Sequence, residues 1–97
     1  MSVPAANAER MARMRQRLAE AFAPDELEVV DDSDRHVGHA GAREGKGHFT
    51  VRIASAAFTG MSPLARHRAV YAALGEMMQT DIHALSIEAK APAPRAP

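Results

Sequence analysis

The chain contains no cysteine. That excludes a disulfide, a thiolate nucleophile and a cysteine metal ligand, so a metal site here has to be built from histidine, carboxylate or backbone, or completed by another molecule. Net charge is absent too, because twelve basic and twelve acidic side chains cancel. The bulk field on which a general nucleic-acid binder relies is therefore missing, and what remains is scope for a local basic patch. No apolar run approaches the ~18 residues of a membrane span, and the amino terminus lacks the basic region and hydrophobic core of a secretory signal. The expected setting is cytoplasmic, with no membrane partner. No serine nucleophile motif occurs, and no carboxylate stands at metal-ligand spacing from a histidine on one helix. An enzyme is not expected, although His36-x-x-His39 has the composition of an opportunistic zinc site.

What is present is a small domain of 97 residues, short enough that core burial is limited and reliance on a partner is a fair expectation. Its compositional outlier is histidine: five in all, with three between His36 and His48. Met11, Met14, Leu18 and Phe22 recur at helical spacing and predict a first helix from about Ala5 to Phe22, with Arg10, Arg13, Arg15 and Arg17 spread around its remaining surface. Pro24-Asp25 stops it, and Leu27 to Asp31 reads as a short Val-rich strand. From Asp32 to Gly47 the chain is glycine-rich and charged with almost no large apolar residue, the composition of a long exposed loop. Phe49, Val51 and Ile53 then alternate with His48, Thr50 and Arg52, as in a strand with one buried face.

Ser62-Pro63 is a helix start, since the hydroxyl caps free N–H groups and proline fits the first helical position. The helix is expected from Pro63 to about Gln79, burying an arc of Leu64, Val70, Tyr71, Leu74, Met77 and Met78 with His67 near its middle and Arg66 and Arg68 at its edges. His67 reads as a core histidine. A last strand runs from Ile82 to about Lys90, with Leu85, Ile87 and Ala89 on one face and His83 on the same parity; prolines then end it. The expected fold class is α+β: helix, strand, strand, helix, strand, with a three-stranded mixed sheet, helices on one face, an ordered core over about residues 5–90 and a short tail over 91–97. The first two strands should be antiparallel, and the crossover should make the second and third parallel. Their starts then share one sheet edge. There His83 comes near His48 and within reach of the loop histidines His36 and His39. Neutral imidazole suits iron, zinc and copper, and two imidazoles on an open edge leave positions for ligands from elsewhere.

Leu27-Glu28-Val29-Val30-Asp31-Asp32-Ser33 comes first, then Gly38-His39-Ala40-Gly41, His48-Phe49, Phe58-Thr59-Gly60, Arg66-His67-Arg68 with Val70-Tyr71, and Ile82-His83-Ala84-Leu85. In that order, over Leu18 to Lys90, these segments resemble the BolA-like family. The resemblance implies a fold similar to the class II KH arrangement. It also implies a non-enzymatic adaptor that associates with a monothiol glutaredoxin and shares a [2Fe-2S] cluster with it, in iron–sulfur cluster trafficking or iron sensing. The glutaredoxin would contribute its cysteine and a glutathione thiolate. This chain would contribute a histidine before the last strand, which His83 matches, and one from the loop, where His36 aligns three residues after Ser33 and His39 lies close enough to compete. Alone, it would be a monomer or a weak homodimer.

The alternative is a nucleic-acid-binding transcriptional regulator that uses the KH-like fold. Gly60-x-x-Pro63 stands where a KH clamp needs Gly-x-x-Gly, so the phosphate-cradling motif is missing. Arg66, Arg68 and Lys90, with Arg52, are the basic residues left to bind a partner or nucleic acid.

Overall fold

In α1 (Ala5–Phe22) the methionine–leucine stripe faces inward: Met14 and Leu18 have no exposed surface, and Met11 and Phe22 pack against them. The helix ends where Ala23 turns to a φ of 43° and its N–H donates to Ala19 O at 3.0 Å, with Pro24 following. A computed structural model of the chain describes residues 5–32 and 47–92. The expected loop therefore lies mostly outside the described residues, as do His36, His39 and residues 93–97 of the tail.

β1 (Glu26–Asp31) pairs antiparallel with β2 (Gly47–Ala54), Val29 opposite Val51, and β2 pairs parallel with β3 (Ile82–Lys90), giving the sheet order β1-β2-β3. Phe49, Val51 and Ile53 are buried while Arg52 is exposed, as the alternation requires. A single 3₁₀ turn (Ala56–Phe58) follows β2. Ser55 holds it in place, donating its hydroxyl to Phe22 O at 2.6 Å and accepting from the Ala57 N–H at 3.1 Å. Phe58 and Phe22 meet with ring centroids 4.8 Å apart. The end of β2 is thereby tied to the end of α1.

α2 (Pro63–Leu74) starts as expected, with the Ser62 hydroxyl accepting from the Ala65 N–H at 3.1 Å. It ends earlier than expected. Gly75 adopts a φ of 57°, its N–H returns to Tyr71 O at 2.9 Å, and a separate short helix α3 (Met77–Thr80) leads into β3. Glycine tolerates that left-handed turn at little steric cost, so it stops the helix where the apolar pattern would have carried on.

The buried face of α2 also differs from the expected arc. Val70 and Leu74 are fully buried, but Leu64 is 60% and Tyr71 41% exposed, and His67 is half-buried rather than central. The inward direction is shifted from His67 toward Val70 and Ala73 by less than the ~100° of one residue. Ala69 and Ala73 pack against the core on that side, where small side chains allow close approach and take the place of Leu64 and Tyr71. Met77, beyond the glycine, still reaches the core at 1% exposure.

Candidate functional site

The starts of β2 and β3 share one sheet edge, as the parallel pairing demands, and the two histidines expected there meet: the rings of His48 and His83 have centroids 5.0 Å apart at an interplanar angle of 55°. The backbone beneath them is irregular. Gly47 pairs with Ile82 and His48 with Ala84, so His83 is the extra residue of a β-bulge. Such a bulge re-aims side chains and breaks the parity of the strand. Consequently Ile82, at 2% exposure, falls in with the core, whereas His83 is exposed instead of sharing the inward face of Leu85 and Ile87. The bulge corrects the expected parity and leaves the His83 imidazole accessible.

His48 departs from expectation in the other direction. Alternation placed it with Thr50 and Arg52 on the polar side, yet it is only 6% exposed. It lies on the central strand with a neighbour on each side, and the His83 ring covers part of it.

Both ends of the segment that carries His36 and His39 leave from this same place. The Asp32 N–H donates to His48 O at 2.8 Å, and the Asp32 carboxylate accepts from the Thr50 hydroxyl. At the other end the Gly47 N–H donates to Asp81 O at 3.1 Å. Where His36 and His39 themselves lie is outside the described residues. Among the described residues no group of three His, Asp or Glu side chains is arranged to hold a metal ion. His83 thus presents an exposed imidazole at this edge, with the buried His48 ring behind it.

A polar network that was not expected from the sequence underlies the edge. Asn7 Nδ2 donates to Asp31 Oδ2 at 3.1 Å, Arg10 Nη1 donates to Asn7 Oδ1 at 2.8 Å, and Arg10 Nε donates to Asp81 Oδ1 at 3.2 Å. Arg13 Nη2 pairs with Asp81 Oδ2 at 3.1 Å, and Arg17 Nη1 donates to Leu74 O at 3.0 Å. Arg10, Arg13 and Arg17 are thus a second stripe of α1 facing the connection into β3, not cations scattered over its surface. Their spacing of three and four residues is the signal that would have revealed it. Burial alone would raise the Asp81 carboxyl pKa, but hydrogen bonds from Thr80 and Arg10 and the charges of Arg13 and Arg10 outweigh it and hold the pKa below the ordinary value.

The expected basic residues fall elsewhere. Arg66 is committed internally, donating from Nε to Met61 O at 3.0 Å and from Nη1 to Ala89 O at 3.2 Å. Arg52 lies between Glu88 and Glu28, at 2.6 and 3.1 Å. Arg68 and Lys90 are exposed, Lys90 at the opposite end of β3 from His83.

Comparison with known proteins agrees with this fold and order of residues. The BolA-like protein family model matches residues 18–94. The chain is 44% identical over 75 residues to the DNA-binding transcriptional regulator BolA of Escherichia coli, covering 77% of this chain and 69% of that protein. It is 44% identical over 82 residues to BolA-like protein 1 of Mus musculus, covering 84% of this chain but 58% of the mouse protein. Among solved structures, the BolA domain of SufE1 from Arabidopsis thaliana aligns with a TM-score of 0.77 at 41% identity, covering 94% of this chain and 96% of that one. The chain belongs to the BolA-like family.

Proposed function

We propose that the protein is a non-enzymatic adaptor that binds a monothiol glutaredoxin and co-ligates a [2Fe-2S] cluster shared with it, through His83 and a loop histidine, His36 or His39. The observation that carries this reading is the histidine edge: an exposed imidazole raised on a β-bulge, a second imidazole 5.0 Å away, and both ends of the histidine-bearing segment anchored beside them. The donor chemistry fits half of such a site. Imidazole is a borderline ligand that iron accepts in place of thiolate, and the missing thiolates are those a glutaredoxin and its glutathione would supply. A cluster bound there would supply iron able to accept the nitrogens of His83 and the loop histidine. This chain's part is to present His83 to the partner's surface and to hold the loop histidine within reach. Protonation of either imidazole removes the lone pair that ligation needs, so ligation weakens as pH falls.

The test is the visible absorption and circular dichroism of the purified protein mixed with a cluster-loaded monothiol glutaredoxin. The wild type should change the cluster spectrum, and His83→Ala should stay folded and leave it unchanged, because an exposed side chain contributes little core volume. His36→Ala and His39→Ala, each recorded at about pH 7.5 and pH 5.5, assign the loop ligand. Cluster spectra unchanged by the wild type would sink the reading.

A second reading, a nucleic-acid-binding regulator, has one observation in its favour: the E. coli relative is named a DNA-binding transcriptional regulator. Of the basic residues the sequence singled out, Arg66 is committed internally and Arg52 is flanked by carboxylates, whereas Arg68 and Lys90 are exposed and open to phosphates. Each phosphate contact steepens the fall of affinity with salt, so the salt slope reports how many such contacts are made. Fluorescence anisotropy with duplex DNA at rising salt, comparing wild type with Arg68→Ala and Lys90→Ala, decides it.

A further inference from the structure

The starts of β2 and β3 and the end of β1 meet at the histidine edge, and one side chain outside the sheet joins all three. Through Nη1 the Arg10 guanidinium holds Asn7 Oδ1 at 2.8 Å, and Asn7 in turn donates to Asp31 at the end of β1. Through Nε it holds Asp81 Oδ1 at 3.2 Å, immediately before β3 and two residues ahead of His83. Asp81 O accepts the Gly47 N–H that opens β2. Because β2 lies between them, β1 and β3 cannot hydrogen-bond each other. The link between their ends runs through α1.

Arg10 and Asp81 side chains are 17% and 15% exposed, partly desolvated, which distinguishes this pair from the solvated Arg52 cluster on the open sheet face, where every partner is more than half exposed. In such a setting a guanidinium fork serves two acceptors at fixed angles in a way an ammonium does not. Residues 7 to 13 also lie ahead of the span that the family model matches, so the network is built largely from a part of this chain outside that span.

We propose that Arg10 is a positioning residue: it clamps the β1 end and the β3 start to α1, setting the bulge that exposes His83 and the exit point of the histidine-bearing segment. This rests on the adaptor reading for its purpose, though not for its test. Arg10 does not touch the ligand, and its effect is carried by Asn7 and Asp81.

The experiment uses the full chain with Arg10→Ala, Arg10→Lys and, as a stability control, Leu18→Ala, which removes a fully buried side chain remote from the edge. Native-state amide hydrogen exchange at Gly47 and His83 should quicken about tenfold in Arg10→Ala, while the paired amides of Ile53 in β2 and Val70 in α2 change less than about twofold. Arg10→Lys should behave like the alanine variant, because one ammonium cannot serve both Asn7 and Asp81 in this geometry. Leu18→Ala should quicken all four sites together. In the glutaredoxin mixture, Arg10→Ala should need about tenfold more protein for the same spectral change. Wild-type exchange at Gly47 and His83 in Arg10→Ala, or a parallel rise at every amide, overturns the clamp. A wild type without any spectral change overturns the adaptor reading, and the exchange rates then judge the clamp by themselves.

Discussion

Gly47 is the tightest point of the histidine edge. A β-carbon there would lie 2.4 Å from Cζ of the Phe49 ring and 3.2 Å from Asn7 Oδ1. Phe49 is 2% exposed and hemmed in by the core, so its ring has little room to yield. Overpacking of this kind typically costs about 1–3 kcal/mol. Gly47→Ala should therefore lower the urea midpoint by an amount in that range, and a wild-type midpoint would mean that Phe49 is looser than its burial indicates. The neighbouring His48 and His83 show which residue-level features are written in sequence. Their proximity followed from strand order alone, since parallel neighbours start at one edge. Their exposures did not, because strict alternation carries no mark of a bulge: one extra residue at His83 moved it outward and brought Ile82 into the core.

The elements were legible to the degree that large apolar residues and caps defined them. In α1 the Met11–Met14–Leu18–Phe22 stripe fixed both extent and facing, and in α2 Ser62-Pro63 fixed the start. The facing of α2 was legible in part: Val70 and Leu74 are buried as its apolar pattern implies, whereas Leu64 and Tyr71 are exposed and Ala69 and Ala73 pack against the core instead. Its end at Gly75 was not read, since a glycine inside an apolar pattern is compatible with helix until the chain needs a left-handed turn there. α1 ends with the opposite mismatch. Ala23 occupies the left-handed region at φ 43° where glycine is the usual residue, at a cost of about 1–2 kcal/mol for an L side chain. Ala23→Gly relieves that strain while adding about 0.5–1 kcal/mol of unfolded-state entropy. A net gain of about 0.5–1 kcal/mol is expected, read as a higher melting temperature. A loss instead would mean that the helix end is not strained.

At the scale of the whole molecule, the sheet closes its far end with the buried Ser55 and paired Phe22 and Phe58, whereas its histidine end is closed with charges. Zero net charge, read from composition as a weak field, is compatible with this because the basic stripe of α1 is spent internally on Asp81, Leu74 O and Glu76. A closure made of ions is sensitive to pH in a direction that the Asp81 carboxyl fixes. Its pKa is below the ordinary value in the folded protein, because the Thr80 and Arg10 hydrogen bonds and the charges of Arg13 and Arg10 outweigh the desolvation that burial imposes. A carboxyl with a depressed folded pKa binds its proton more readily when unfolded. Its stabilisation is therefore complete above the ordinary, unfolded value of 3.8, and is lost as pH falls through the lower folded value. Urea melts of wild type and Asp81→Asn between about pH 2.5 and pH 7 should show the asparagine variant less stable at neutral pH, where Arg10 and Arg13 lose their counter-charge. The two curves should approach each other as pH falls below 3.8 and meet only below the depressed folded value, where wild-type Asp81 is protonated as well. Parallel curves across the whole range would show that the ion pairs at the histidine end contribute nothing to stability, and that closure there rests on backbone pairing alone.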